Sequence, residues 1–334
     1  MIEKEESVSE KKASSYKVKE ISKVLFQMKR EISKIVFGQE EAVNSLFRGL
    51  LCNGHVLLEG VPGIAKTLLI KTLAQVSGCS FKRIQFTADM LPADIIGFMT
   101  YDPKNGFQIS KGPIFSNFII ADEINRSPPK TQSAMIEAMQ EKQVTISKTT
   151  LQLPSPFFVM ANQNPIENEG VYSLPEAQID RFLFKILINY PDVESEKRIM
   201  SENITLKKFE DYNIRSIVSP AKITNMQKTT EEIYLDPKIK HYILDIVNKT
   251  RSKDFETGSY IDLGSSPRAS ISLYIASKAE ALLQGRNYVI PADVKVVSYD
   301  VLRHRLILSY RARADRITPE RIIEDIFKSL QSRK

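Results

Sequence analysis

His55-Val56-Leu57-Leu58-Glu59-Gly60-Val61-Pro62-Gly63-Ile64-Ala65-Lys66-Thr67 is the stretch that decides the fold. The apolar run His55–Leu58 reads as a buried strand, and the pattern from Lys66 to Val76 reads as a helix. The turn between them carries the spacing GxxxxGK[ST] of a phosphate-binding loop, with Ala65 where that pattern has Gly. Small residues let successive backbone N–H groups curl around phosphate oxygens, and the helix N-terminus faces the anion. Lys66 would reach the β- and γ-phosphates, and Thr67 would offer a hydroxyl to Mg²⁺. A Cβ at Ala65 is harmless if that residue keeps a negative φ at the helix start. Gly60, Val61, Pro62, Gly63, Ile64, Ala65, Lys66 and Thr67 are therefore the candidate phosphate cradle.

Working outward, short apolar runs alternate with helical patterns. Phe81–Phe86, Phe118–Ala121, Phe157–Ala161 and Phe182–Ile188 join His55–Leu58 as buried strands, with helical segments such as Lys130–Glu141 between them. That rhythm predicts an α/β fold with a parallel five-stranded sheet. Two stretches interrupt it, Ile96–Ile109 centred on Asn105-Gly106 and Val144–Leu153, and each reads as an inserted β-hairpin. Before the sheet, Val18, Ile21, Val24, Leu25, Met28, Ile32 and Ile35 form one apolar stripe behind a polar start. After Tyr190-Pro191 strand signals become sparse, and Pro237–Thr250, Pro267–Leu283 and Thr318–Leu330 read as helices. The expected organisation is a polar segment with an amphipathic helix over 1–34, an α/β core over 35–190, a linker over 191–215 and a smaller all-helical domain over 216–334.

The run Phe118-Ile119-Ile120-Ala121 ends in Asp122-Glu123, a strand carrying two adjacent carboxylates to its C-terminal edge. Asp122 would hold the Mg²⁺ shell and Glu123 would polarise the attacking water, since phosphoryl transfer asks the protein for positioning rather than covalent chemistry. A third strand, Phe157–Ala161, runs into Asn162-Gln163-Asn164-Pro165. Asn164 is the amide chosen to orient the water and touch the γ-phosphate; an Asn-Pro turn is the bland alternative. Arg181 and Arg268 are the candidate guanidinium groups for neutralising charge on the transferring phosphoryl group.

Composition narrows the function. Apolar residues are 42% and charged residues 26%, with 13 Gly and 16 Pro in 334 residues, which excludes collagen-like and wholly disordered chains. The longest uncharged stretch, Thr149–Ile166, is broken by Pro154, Pro156 and Pro165, so no membrane span is expected. The first twenty residues carry no apolar run suited to a secretory signal, and the expected location is the cytoplasm. Cys52, Cys79, His55, His241 and His304 show no metal-ligand spacing. The net charge is +7, and residues 301–334 hold much of the excess. A basic end of this kind meets nucleic acid or an acidic partner, or forms a solvated or subunit-contacting helical face.

Together these blocks resemble the MoxR group of AAA+ ATPases. The resemblance is carried by Leu58–Gly63, by Gly112-Pro113-Ile114-Phe115 with Ala121–Gln132, by Gln163-Asn164-Pro165-Ile166-Glu167, by Leu174–Phe182 and by Ser266-Pro267-Arg268-Ala269. It implies an αβα P-loop core with a helical lid, ATP and Mg²⁺ bound between them, and assembly into a homo-oligomeric ring, usually of six. It places Asn164 at sensor 1, Arg181 at the arginine finger, Arg268 at sensor 2, and Val36 and Gln39 at the adenine pocket. It implies a chaperone-like remodeller acting beside a separate protein with a von Willebrand factor A domain. Two departures stand out, Asn162 where the family usually has Thr and Lys111 where Pro is common; neither touches the catalytic assignment. A nucleic-acid motor or loader and a chelatase-like motor subunit are the alternatives. The chain has no Zn module and no basic patch interleaved with aromatics, so nucleic acid is not the expected partner.

Overall fold

The computed structural model describes residues 2–60, 66–163, 172–202 and 208–331. Five strands form one parallel sheet: β1 (Val56–Gly60), β2 (Phe81–Gln85), β5 (Phe118–Asp122), β8 (Phe158–Gln163) and β9 (Phe184–Ile188), in the order β2-β5-β8-β1-β9. β5 is buried along its whole length, and so is β8 up to Asn162. Burial on both faces is why these strands read as continuous apolar runs rather than as alternating ones. The helices Lys66–Val76 and Pro129–Glu141 fall between strands as expected. Leu57, Ile84, Ile119, Val159 and Phe182 join Met135, Ile136 and Met139 of the second helix in one apolar cluster.

Both inserted hairpins are present, as β3 (Gly97–Asp102) with β4 (Gly106–Lys111), and β6 (Gln143–Ile146) with β7 (Thr149–Gln152). Glycine closes the base of the first for a steric reason. A Cβ on Gly112 would sit 2.2 Å from the carbonyl oxygen of Ile95, and Gly97, at φ +100°, would put one 2.2 Å from that of Ser110.

The chain divides into two compact units, residues 1–26, 183–185 and 226–334 in one and 27–182 and 186–225 in the other. The first is built from helices, among them Pro237–Ser252, Pro267–Leu283 and Pro291–Leu302, each opened by a Pro at the first turn, where the missing N–H costs nothing. Asp236 and Ser266 cap the first two through their side chains. The all-helical expectation needs one amendment, because β10 (Ile261–Leu263) pairs antiparallel with β11 (Ile307–Leu308). Residues 191–215, expected as a linker, contain the helix Val193–Glu202 and a 3₁₀ turn at Phe209–Tyr212. That helix buries none of its residues, so no apolar stripe announces it. The N-terminal helix runs Ile2–Ile32, longer than its stripe; Val18, Ile21, Leu25, Met28 and Ile32 are its buried face.

His55, at the foot of β1, is a buried polar tie. Its Nε2 donates to the Met139 carbonyl at 2.8 Å, and its Nδ1 accepts from the Val159 N–H at 3.1 Å, an arrangement that fits the neutral ring. Burial pulls its pKa down to about 4, opposed by the Met139 carbonyl and assisted by Lys142. The folded value thus lies below the unfolded one of about 6.5, so the unfolded chain binds the extra proton between them. Stability should therefore be unaffected above that window and fall by up to about 1.4 kcal/mol per pH unit as pH drops from about 6.5 to about 4. Urea midpoints followed by far-UV circular dichroism check this: His55→Gln should flatten the acid limb by about one proton.

Candidate active site

The site lies at the C-terminal edge of the sheet. β1 ends at Gly60, and the helix Lys66–Val76 begins with Lys66 and Thr67, both half-buried. The Lys66 ammonium donates to the Gly60 carbonyl. Burial lowers the Lys66 pKa, while the charges of Asp122, Glu59 and Glu123 push it back up. Lys66, tied to the end of β1, shares the C-terminal edge of the parallel sheet with both carboxylates that the sequence nominates. Val61, Pro62, Gly63, Ile64 and Ala65 lie outside the described residues.

Asp122 is the last residue of β5 and is buried. A buried carboxylate needs charged or polar partners, and two neighbouring strands supply them. Arg83 of β2 donates Nε to Asp122 Oδ2 at 2.8 Å and adds a second contact through Nη2. Asn162 of β8 donates Nδ2 to Asp122 Oδ1. Glu123 follows at φ 55° and ψ 49°, a left-handed conformation that a side chain with Cβ adopts only when its surroundings hold it there. Its N–H donates to Asn162 Oδ1 at 2.6 Å. Its Oε2 accepts from Gln85 Nε2 at 2.7 Å and from Arg126 Nη1 at 3.0 Å.

The turn beyond the acidic pair is clamped from the next helix. Gln132, fully buried, directs Nε2 to the carbonyls of Ile124, Ser127 and Tyr172 at 3.3, 3.1 and 3.0 Å. The Tyr172 N–H closes the arrangement on the Asn125 carbonyl at 2.7 Å.

Among the described residues no cluster of three or more His, Cys, Asp or Glu forms a metal cage. The residues present fit Mg²⁺ all the same, because a nucleotide-borne Mg²⁺ asks for one or two protein oxygens and takes the rest from phosphates and water. Asp122 has roughly four lone-pair sites, of which its protein partners use only part, and Thr67 supplies a hydroxyl at the helix start.

The remaining sequence candidates are placed as follows. Asn164 lies outside the described residues. Val36 is buried and Gln39 donates Nε2 to the Asn189 carbonyl at 2.9 Å, next to the end of β9. Between them, Gly38 at φ +67° packs so closely that a Cβ would come within 2.8 Å of Ser195, and Arg198 covers the Phe37 ring at 4.4 Å. Arg181 is exposed and donates Nη1 to Gln140 Oε1. Arg268 is exposed on the first turn of Pro267–Leu283, in the helical unit, where its backbone N–H is capped by Ser266 Oγ at 3.2 Å.

Sequence reasoning missed Arg83, Gln85 and Asn162. Arg83 and Gln85 alternate along β2 and so share a face, a legible signal whose meaning needs the knowledge that β2 lies beside β5. Asn162, singled out in the sequence only as a departure from the usual Thr, touches both acidic residues.

The ATPase family associated with various cellular activities (AAA) matches residues 55–184, and the AAA lid domain matches residues 255–326. Chaperone MoxR1 of Mycobacterium tuberculosis is 45% identical over 306 residues, spanning 90% of this chain and 80% of that protein. Protein YeaC of Bacillus subtilis is 42% identical over 301 residues, 90% of this chain and 92% of its own length. A crystal structure of a Cytophaga hutchinsonii protein assigned as an ATPase superposes with a TM-score of 0.88 at 44% identity, covering 96% of this chain and 98% of that one.

Truncating Gln132 to Ala would remove the side-chain donor from the Ser127 and Tyr172 carbonyls, which costs about 1–3 kcal/mol. A lower urea midpoint at pH 7 checks it; an unchanged midpoint would show that the clamp contributes nothing to stability.

Proposed function

The chain belongs to the MoxR family of AAA+ ATPases, and on that premise we propose that it hydrolyses Mg²⁺-ATP in a homo-oligomeric ring, usually of six, to remodel a separate protein bearing a von Willebrand factor A domain. The observation carrying this reading is that Lys66, bound to the carbonyl at the end of β1, and Asp122 with Glu123, at the end of β5, lie at the C-terminal edge of one parallel sheet. Lys66 takes the β/γ-phosphates, and Thr67 and Asp122 hold the Mg²⁺ shell. When bound, Mg²⁺ would neutralise charge on the phosphate oxygens. Glu123 orients a water for in-line attack on the γ-phosphorus and accepts its proton as the bond to the β–γ bridging oxygen breaks and ADP leaves. Gln85 and Arg126 set the direction of the Glu123 carboxylate. Asn164 is assigned to the γ-phosphate, Val36 and Gln39 to the adenine, Arg268 to the phosphates from the helical unit, and Arg181 to the neighbouring subunit's nucleotide. The exposure of Arg181 and Arg268 supports those last two assignments.

Intramolecular pairing in the basic C-terminal segment argues against the nucleic-acid motor reading. In the basic C-terminal segment Arg303 binds Asp300, Glu320 and the Lys185 carbonyl, and buried Arg305 binds the Leu183 and Val301 carbonyls. Arg311 pairs with Asp315, and Arg321 and Lys328 with Asp325. Charge spent inside the protein does not neutralise phosphates. A cytoplasmic location suits an ATP-driven chaperone, and no described helix is long and apolar enough to cross a membrane.

Glu123→Gln keeps the size of the side chain while losing the carboxylate, so ATP should bind and persist unhydrolysed. Turnover at the wild-type rate would overturn the Glu123 assignment. Arg181→Ala should also abolish turnover alone, since a guanidinium supplied by a neighbour is worth about 10³–10⁵ in rate. Mixing the two inactive proteins should restore part of the activity, because an Arg181→Ala subunit keeps Glu123 and borrows Arg181 from a Glu123→Gln neighbour. No recovery in mixed rings verified by native mass spectrometry would reject the trans role.

A further inference from the structure

Among the described residues, Asn162 is the side chain that hydrogen-bonds to both members of the acidic pair, and its two ends do opposite things. The amide oxygen accepts the Glu123 N–H at 2.6 Å, and the amide nitrogen donates to Asp122 Oδ1. Asn162 is nearly removed from solvent, at 5% exposure, so neither contact competes with bulk water. Glu123 is held at φ 55°, where a residue with a Cβ is strained and needs external restraint. Its N–H lies just past the end of β5, and Asn162 is the acceptor it finds.

We propose that Asn162 is a positioning residue for ATP hydrolysis: its amide oxygen pins the Glu123 backbone in the left-handed turn that aims the carboxylate, while its amide nitrogen fixes the rotation of Asp122. The residue type follows from the task. One group must accept from a backbone N–H and donate to a carboxylate some distance away, and a carboxamide has an acceptor and a donor on separate atoms. A carboxylate at this position would accept from Glu123 but face Asp122 with like charge. An aliphatic side chain would serve neither partner. Arg83 and Gln85 reach the same two acids from β2 on the other flank, so Asn162 completes a bracket in which each carboxylate is held from outside its own strand.

This inference rests on the assignment of Glu123 to the attacking water, and the two can fail separately. Asn162→Ala removes both contacts; Asn162→Ser replaces the separate donor and acceptor atoms with one hydroxyl on a shorter side chain. Misaligning a catalytic group by about 1 Å costs on the order of a hundredfold, and losing a residue that orients a metal ligand about ten- to a hundredfold. Both variants should therefore lose at least tenfold in kcat, while the affinity for a fluorescent ATP analogue in the presence of Mg²⁺ shifts by less than threefold. Because Asn162 acts through the acidic pair, Asn162→Ala added to Glu123→Gln should lower the residual turnover by far less than it lowers the wild-type rate. A residue that serves only the fold would give equal losses in both backgrounds. Turnover within threefold of wild type in either folded variant, equal losses in both backgrounds, or failure of both variants to fold overturns the proposal. Wild-type turnover in Glu123→Gln alone would instead remove the assignment it rests on.

Discussion

Because β5 and β8 run parallel with Phe118 opposite Phe158 and Ala121 opposite Ala161, the next residues on each, Asp122 and Asn162, meet side by side. Both contacts that Asn162 makes at the acidic pair depend on that register. A shift by one residue would turn Asn162 to the other face of the sheet. The register is enforced by burial: Phe118, Ile119, Ile120 and Ala121 pack against Phe158, Val159, Met160 and Ala161 with no exposed surface on either strand beyond a trace. The hydrophobic effect thereby sets the geometry of the charged site above it, since slippage would expose several large apolar side chains at roughly 1.5–3 kcal/mol each.

The same sheet order explains how the phosphate loop and the acidic pair meet at one edge. β8 lies between β5 and β1, so strands distant in sequence set Asp122, Asn162 and Leu58 level with one another, with Gly60 two residues further along β1. A parallel sheet collects its strand C-termini along one edge, which is where α/β folds bind ligands. The electrostatics agree with the geometry. Burial lowers the Lys66 pKa, and the charges of Asp122, Glu59 and Glu123 oppose that shift. Asp122 stays buried because Arg83 and Asn162 satisfy it from opposite flanks.

Away from the sheet, the helical unit spends its charge on itself. Asp293 receives both arms of Arg286, and Asp325 receives Arg321 and Lys328, while buried Arg305 holds backbone carbonyls. Several cations of the basic C-terminal segment thus have partners within the protein.

Local chemistry was readable from the sequence alone. The acidic pair at a strand end, the five apolar runs and the two hairpins each depend on a few neighbouring residues, and each found its place among the described elements, as did Gly60, Lys66 and Thr67 at the two ends of the phosphate loop. The helices of the helical unit were legible for the same reason, through apolar spacing. The roles of Arg83, Gln85 and Asn162 were not, because they act across strands whose order in the sheet differs from their order in the chain. The helix Val193–Glu202 escaped because it buries nothing and so carries no pattern. What the sequence determined was each residue's chemistry and its local backbone. Only the tertiary structure decided which strands lie together, because that choice is made by burying apolar faces against one another, a collective effect that no single motif encodes.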